Sequence, residues 1–542
     1  MNSRKSPEVH PRRFAAALSP HWKPQLSILV PVFRPDRRFL EEMLQSILIQ
    51  NFMDWELICV DDCSESEEVS LVLADMARDP RVKIITRCTN GGIVAASNDA
   101  LAAARGEFVA LVDHDDLLVD GALGAVMHAL AQHGDADVLY TDEGHVDSEG
   151  LLSNSFHKPD FSPERLRGQM YIGHLGVYRR SLLMRIGGFR EGFDGSQDYD
   201  LALRATELAR RVVHIPQVWY RWRIHSASVS QRSDNAPVFA AARRALEEHL
   251  ERVGLQGVVE QIHSVGVYRI RYAVIGSPLV SIIIPTRGSS AEVGGQIRCL
   301  VVDAVRSVVE KSTYQNFEIV VVADDSMSAQ VRADLAQAGG DKLRFVPWSA
   351  PFNFAAKINR GVVESQGDFI LMLNDDTEVI TPDWLEVMLA LAQQPDVGMV
   401  GPMLYFEDGT IQHGGHVYSG GGPGHVALGH RAGSTGPFAG LLVDREVSGV
   451  TGACALMPRA AYFAVGGMNL NLPINFNDVD LCLKVTNAGY RIIWTPHAEL
   501  FHYESKTRVP RVVHYELDTL TQRWGRNIAT DPFWPHGPDE GQ

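Results

Sequence analysis

The sequence predicts an α/β protein of two tandem domains, each a doubly wound, mostly parallel sheet. Three observations carry that prediction. Apolar runs that suit strands buried on both faces end in carboxylates, strand and helix signals alternate along each half, and the whole pattern occurs twice. The run Phe108-Val109-Ala110-Leu111-Val112 has no polar interruption and stops at Asp113-His114-Asp115-Asp116. Carboxylates cannot stay in such an interior, so they emerge at the carboxyl edge of the strand, where open α/β sheets bind ligands. Asp113 and Asp115 point the same way on an extended backbone and can share a hard divalent cation bound to a diphosphate. A strand followed by an ordinary acidic turn is the alternative for a single D-x-D. Its recurrence as Phe369 to Leu373 followed by Asn374-Asp375-Asp376 argues against that alternative.

In chain order, Leu26 to Val30 reads as the first strand, stopped by Pro31. Phe39 to Gln50 has helical apolar spacing, and Trp55 to Val60 is a strand ending in Asp61-Asp62-Cys63-Ser64, which completes a βαβ unit. A helix over about 65–77, a strand at Val82 to Ile85, the Asn90-Gly91-Gly92 turn and an Ala-rich helix with Asn98 lead into the Asp113 strand. The same grammar restarts at Val280 to Ile284 and Pro285. There Glu318 to Val322 ends in Asp324-Asp325-Ser326, and a helix with Asn359 precedes the Asn374 strand. Ser27 and Ser281 are 254 residues apart, whereas Asn98 and Asn359, like Asp115 and Asp376, are 261 apart. So small a drift indicates a duplicated domain with insertions confined to loops. The expected organisation is a basic tail over 1–23, domains over 24–265 and 266–515, and a C-terminal helix or tail over 516–542.

Composition narrows the function classes. A length of 542 residues exceeds one core, and 45% hydrophobic with 21% charged residues is ordinary for a globular protein. The net charge of −16 argues against nucleic acid as a partner. Six scattered cysteines without a C-x-x-C pair suggest reduced thiols, and no apolar run reaches the length of a membrane span. The expected location is cytoplasmic. Arg4, Lys5, Arg12 and Arg13 at the start offer a peripheral contact with the inner face of the cytoplasmic membrane, or form a solvated tail.

With these residues in hand, both halves resemble family 2 glycosyltransferases of the GT-A fold. The first half carries S-I-L-V-P-V-F, V-D-D-C-S, D-H-D-D, G-G-F, S-Q-D-Y-D-L and Y-R-W-R-I-H. The second carries S-I-I-I-P-T-R, A-D-D-S, L-N-D-D-T-E-V, V-T-G-A-C, G-G-M, N-D-V-D-L and a late Phe501-His502. The stretch from Tyr171 to Asp200 is similar to bacterial tandem enzymes that build O-antigen and rhamnose-rich polysaccharides.

The resemblance implies an inverting transfer from a nucleotide-diphosphate sugar (dTDP-, UDP- or GDP-linked, rhamnose as first guess) to an oligosaccharide or lipid-linked glycan. Neither half has lost an obvious catalytic carboxylate, so two working sites are expected, the alternative being one active domain beside a silent glycan-binding one. In this family the donor site falls on Pro31, Phe33, Asp61, Asp62, Asn98 and Asp113 in the first half. In the second it falls on Pro285, Arg287, Asp324, Asp325, Asn359 and Asn374. Asp61-Asp62 and Asp324-Asp325 have a structural alternative, as helix caps. Asp115 with His225, and Asp376 with His502, are the expected ligands of Mn²⁺ or Mg²⁺. Asp198 and Asp478 are the expected catalytic bases, and Gln197 and Asn477 replace the acidic residue usual before the base. Asp200 and Asp480 are expected to brace a helix. The Gly-rich stretch from His413 to His430, with His416 and His425 in it, has spacing unlike a compact zinc motif and is expected to be a mobile loop over the second acceptor cleft. A sugar nucleotidyltransferase is disfavoured, because no Gly-rich basic triphosphate loop follows the first strand.

Overall fold

The computed structural model describes residues 22–225, 236–263, 266–504 and 512–535, so the basic start lies outside the described residues. The chain forms two compact units, one of residues 1–161 and 170–254, the other of residues 162–169 and 255–542.

The first unit is built on a nine-stranded sheet. Strands Val82–Thr86, Trp55–Asp61, Leu26–Val32 and Phe108–Leu111 lie side by side in that order, all parallel. Beyond them Gly176–Arg179 pairs antiparallel to Phe108–Leu111, and Val138–Val146 with Val212–Arg223 extends the sheet. Helices Arg37–Leu48 and Gly92–Ala103 cover its faces. Full burial on both sides explains why Ile28 to Val30 and Leu57 to Val60 are uninterrupted apolar runs rather than alternating ones.

The second unit repeats the plan with ten strands. Leu343–Trp348, Phe317–Asp324, Val280–Thr286 and Phe369–Leu373 form the parallel run, followed by Cys454–Pro458 antiparallel, Val397–Tyr405 and Arg491–His502. The duplication extends to single atoms. The Ser27 hydroxyl donates to Glu56 Oε1 at 2.6 Å, and Glu56 Oε1 also accepts from the Arg105 amide at 2.6 Å. In the second unit Ser281 donates to Glu318 Oε1 at 2.7 Å, which accepts from the Gln366 amide at 2.6 Å. In each unit the next glycine amide, that of Gly106 or Gly367, donates to the serine hydroxyl at 2.8 and 2.7 Å.

Two expectations about boundaries change. The short helix Pro163–Gly168 belongs to the second unit, where the Ser162 hydroxyl and the Glu164 amide donate to Glu446 and Tyr272 Oη donates to Glu164 Oε2 at 2.7 Å. The hairpin of Gly257–His263 and Val267–Tyr272 joins the second unit too, so the division falls at 254 rather than 265. Helix His514–Trp524, in the stretch expected as a C-terminal helix or tail, packs on helix Asn477–Asn487: Trp524 Nε1 donates to Asp480 Oδ1 at 2.9 Å. Its buried Glu516 accepts from the amides of Ile474 and Asn475, just ahead of Asp478.

A Cβ on Gly106 would lie 2.6 Å from the backbone nitrogen of Ser27, and one on Gly367 would lie 2.5 Å from the carbonyl oxygen of Leu279. Neither neighbour is a flexible side chain, so Gly106→Ala and Gly367→Ala are each expected to lower unfolding free energy by about 1–3 kcal/mol. Urea denaturation followed by circular dichroism checks this, and a loss below about 0.5 kcal/mol at both positions would contradict it.

Candidate active sites

Each site forms where the central strand stops. In the first unit Asp116 is buried; the Tyr220 hydroxyl donates to its Oδ2 at 2.6 Å and the Arg223 amide to its Oδ1 at 2.7 Å. Burial pushes the Asp116 carboxyl well above the usual carboxylate range, and the charges of Asp113 and Asp115 push it further. Asp115 meets His225, with Nε2 and Oδ2 at 2.8 Å. Asp113 accepts a longer contact from His174, 3.5 Å from Nε2 to Oδ2, and the His174 ring stacks on Tyr220 with centroids 4.7 Å apart. One donor atom each from Asp113, Asp116 and His174 lie within 4.8 Å of one another. Buried Lys158 holds the His174 loop, donating to the carbonyls of Ile172 and His174 at 2.7 Å and to Glu143 Oε2 at 2.9 Å.

Asp198 lies in the first turn of helix Gln197–Leu208. Burial lifts its carboxyl above the ordinary value against the opposing charge of His174 and the Tyr199 amide, and Asp113 adds to the lift. Asp200, two residues on, is fully buried between Arg190 and Arg204 and braces the helix.

The second unit repeats this with changes. His502 Nε2 is 3.1 Å from Asp376 Oδ1 and 3.1 Å from Asn374 Nδ2, while its Nδ1 faces Gln412 Oε1 at 2.7 Å. Burial opposes charge on His502, yet Asp376, Glu504 and Asp375 together raise its pKa above the ordinary value. Asp375 accepts from the Thr286 hydroxyl at 2.5 Å, and burial, with Asp376 beside it, pushes its pKa up to about 6. Asp478 accepts at Oδ2 from the Gly452 amide at 3.0 Å and from the Thr451 hydroxyl at 3.3 Å. Asp480 is fully buried, as Asp200 is. Ala453 stands five residues before Pro458, which pairs with Phe369, as His174 stands five before Arg179, which pairs with Phe108. The second site therefore has alanine where the first has an imidazole.

The expected donor residues divide. Pro31 and exposed Phe33 end the first strand, and Arg287, whose charge is felt at Asp375, occupies the corresponding end after Pro285. Asp62 is buried and committed: its two oxygens accept from the amides of Gly91 and Gly92 at 2.9 and 2.8 Å, capping helix Gly92–Ala103, and Arg87 pairs with it at 2.9 Å. Asp61 accepts from the Ser64 amide at 3.0 Å. Asp324 pairs instead with buried Lys357 at 2.5 Å, and Asp325 is exposed. Lys357, which also donates to the Thr286 carbonyl at 3.1 Å, escaped the sequence reading because it sits on a helical face that reads as core.

Asn98 and Asn359, expected at the donor site, are engaged elsewhere in the fold. Asn98 donates to the Phe189 carbonyl and accepts from the Phe189 amide, both at 2.9 Å; Asn359 does the same to Met468, again at 2.9 Å. Each amide is consumed in pinning the Gly-Gly turn that precedes the Asp198 or Asp478 helix. Gly188 and Gly467 have positive φ, and a Cβ there would lie 2.6 and 2.8 Å from the asparagine Oδ1.

The Gly-rich stretch differs from the mobile loop expected of it. His416–Ser419 and Gly422–His425 form an antiparallel hairpin, and His413 and His416 are buried. His413, His416 and His425 converge, while His430 stands apart from that group. A cavity of about 330 Å³, lined by Arg269, Tyr272, Glu386, Asp444 and His497 among others, shares no residue with either carboxylate site.

The model of glycosyl transferase family 2 matches residues 27–187 and again residues 281–464. The chain belongs to glycosyltransferase family 2. Its two sheets are tandem GT-A domains. It is 41% identical over 528 residues to an uncharacterized protein of Sinorhizobium fredii, covering 94% of this chain and 57% of that relative. It is 35% identical over 523 residues to the O-antigen biosynthesis protein RfbC of Myxococcus xanthus, covering 95% of this chain and 40% of that one. The chain thus spans about half the length of these relatives. Among solved structures, S. aureus TarS 1–349 in complex with UDP matches with a TM-score of 0.35 and 24% identity, over 42% of this chain and 65% of that one. No helix among the described residues is long and apolar enough to cross a membrane.

Removing the turn clamp leaves a buried amide and carbonyl unpaired, so Asn98→Ala and Asn359→Ala are each expected to cost about 1–3 kcal/mol of stability. Nucleotide affinity of the folded fraction, measured by isothermal titration calorimetry, is expected to stay within about threefold of wild type; a loss above about 30-fold without destabilisation would restore the donor role.

Proposed function

We propose that the chain is a bifunctional inverting glycosyltransferase that extends a bacterial surface polysaccharide, one transfer per domain. The duplicated pairing of a strand-end carboxylate with a histidine from the last strand region, Asp115 with His225 and Asp376 with His502, supports it. An Asp on the first turn of the following helix, Asp198 or Asp478, completes each set.

The carboxylate and imidazole donors in each pair fit a divalent cation of the Mn²⁺ or Mg²⁺ kind. Asp115 with His225, and Asp376 with His502, would hold it; when bound it neutralises charge developing on the leaving diphosphate. Phe33 and Arg287 flank the donor, with the Arg287 guanidinium offering bidentate contact to phosphate oxygens. Asp198 and Asp478 accept the proton of the acceptor hydroxyl as that oxygen attacks the anomeric carbon from the face opposite the diphosphate. The raised pKa of Asp198 brings it nearer the working pH, which favours proton transfer. His174 and Lys158 keep the Asp113 carboxylate in place. The donor sugar is proposed as a deoxyhexose such as rhamnose, and the acceptor as a lipid-linked glycan at the inner face of the membrane, on the likeness to an O-antigen biosynthesis protein.

A second reading keeps only the first domain active and makes the other a glycan-binding module. The loss of one carboxylate and one imidazole in the second site, through Asn374 and Ala453, favours it.

The discriminating assay screens a panel of nucleotide sugars for hydrolysis and transfer with wild type, Asp198→Asn, Asp478→Asn and the double mutant. Each single variant is expected to lose one transfer step by about 10³-fold or more while retaining the other. A silent Asp478→Asn across all donors and acceptors establishes the one-site reading, and full activity in the double mutant refutes both.

A further inference from the structure

Three histidines in the second unit form a cluster that neither proposed transfer uses. His413 ends strand Ile411–His413, and His416 and His425 face each other across the hairpin that follows. One ring nitrogen of each lies within 4.8 Å of the other two, and the ring centroids are 5.3, 4.9 and 5.4 Å apart. The facing Nδ1 atoms of His413 and His425 are 2.7 Å apart. Nitrogen ligands of a tetrahedral Zn²⁺ stand about 3.4 Å from one another for Zn–N bonds of about 2.0–2.1 Å, inside that 2.7–4.8 Å range.

Three further observations bear on the cluster. Burial disfavours charge on all three rings, lowering the pKa of His413 well below the usual value, that of His416 to about 4, and that of His425. His416 is 3% exposed, and its Nδ1 finds no hydrogen-bond partner among the described residues. The backbone is shaped around it, since a Cβ on Gly449 would lie 2.7 Å from that nitrogen.

We propose that His413, His416 and His425 bind one borderline transition-metal dication of the Zn²⁺ class, separate from the cation of the Asp376 site. An all-imidazole set selects such an ion over Mg²⁺ or Mn²⁺, which favour carboxylate and water oxygens. It ties the hairpin to the strand that precedes it. It also reaches the candidate base. The Thr451 amide donates to His413 Nε2 at 3.2 Å, which places the His413 proton on Nδ1, between the two rings. An ion bound at Nδ1 displaces that proton, which moves to Nε2 of the same ring with no net release, and the Thr451 amide must turn away. Thr451 holds Asp478 Oδ2 through its hydroxyl, so occupancy is transmitted to Asp478 through one residue. The site stands whether or not the second domain transfers sugar.

The test uses the untagged full chain carrying Asp115→Asn and Asp376→Asn, which weakens the carboxylate sites, after chelator treatment and dialysis. Zn²⁺ uptake is measured by elemental analysis, and Co²⁺ uptake by its visible spectrum. One equivalent is expected, with the intense absorption of tetrahedral cobalt. Adding His413→Gln or His425→Gln is expected to weaken uptake by about 100-fold or more, whereas adding His430→Gln leaves it unchanged. Absence of uptake by the chain with intact histidines overturns the proposal, as does uptake that the folded His413→Gln chain retains. If the histidine variants do not fold, the cobalt spectrum of the chain with intact histidines decides: a weak octahedral spectrum overturns the proposal.

Discussion

A strand buried on both faces cannot carry charge, and this chain ends two such strands in clusters of acid. The rest of each domain answers that constraint. Asp116 is taken up by Tyr220 and Arg223, Asp115 by His225 and Asp376 by His502, all from the far end of the domain's sequence. Because Leu117–Leu118 pairs with Val212–Arg223, and Thr377–Val379 with Arg491–His502, the backbone that follows the acids is itself fastened to the strand that supplies their partners. Site and sheet therefore form together; neither set of carboxylates has its surroundings until the last strand closes.

The two sites share a frame and differ in chemistry. The Ser–Glu–Gly network and the asparagine clamp on the Gly-Gly turn repeat atom for atom, which marks them as requirements of the scaffold. The polar lining diverges. The first site sets His174 against Asp113, with Lys158 holding the His174 loop; the second replaces that imidazole by Ala453 and introduces Lys357 against Asp324. Divergence confined to the lining fits two domains that retained one fold while their ligands separated.

The parallel core was legible because its signal is local: uninterrupted apolar runs, helical spacing and polar stops are all read within a dozen residues. The strand-end acids with their late histidines were legible because a histidine follows the candidate base at a similar interval in both halves, 27 residues from Asp198 to His225 and 24 from Asp478 to His502. What escaped was non-local. Asn98 and Asn359 looked like ligands because they recur in register, yet recurrence marks a shared turn clamp equally well. His413, His416 and His425 looked unrelated because irregular spacing hides the reversal that a hairpin supplies. Residues 162–169 were not assigned to the second unit because Glu446, the group that buries them, lies far away in sequence.

The placement of residues 162–169 has a consequence for synthesis. Their partner Glu446 is 284 residues downstream of Ser162. At about 5–20 residues per second, a ribosome needs roughly 15–60 s to deliver it. Throughout that interval Glu164 and Arg167, buried in the finished protein, remain in water, and for its later part, once residue 254 has been made, the first unit already has its whole sequence. The nascent chain thus carries an eight-residue loop of polar sequence held open between two strands of a sheet that can close around it. Leu166 is the one large apolar side chain that this loop later buries, and the rest of its buried side chains are polar or charged, so the delay exposes little adhesive surface.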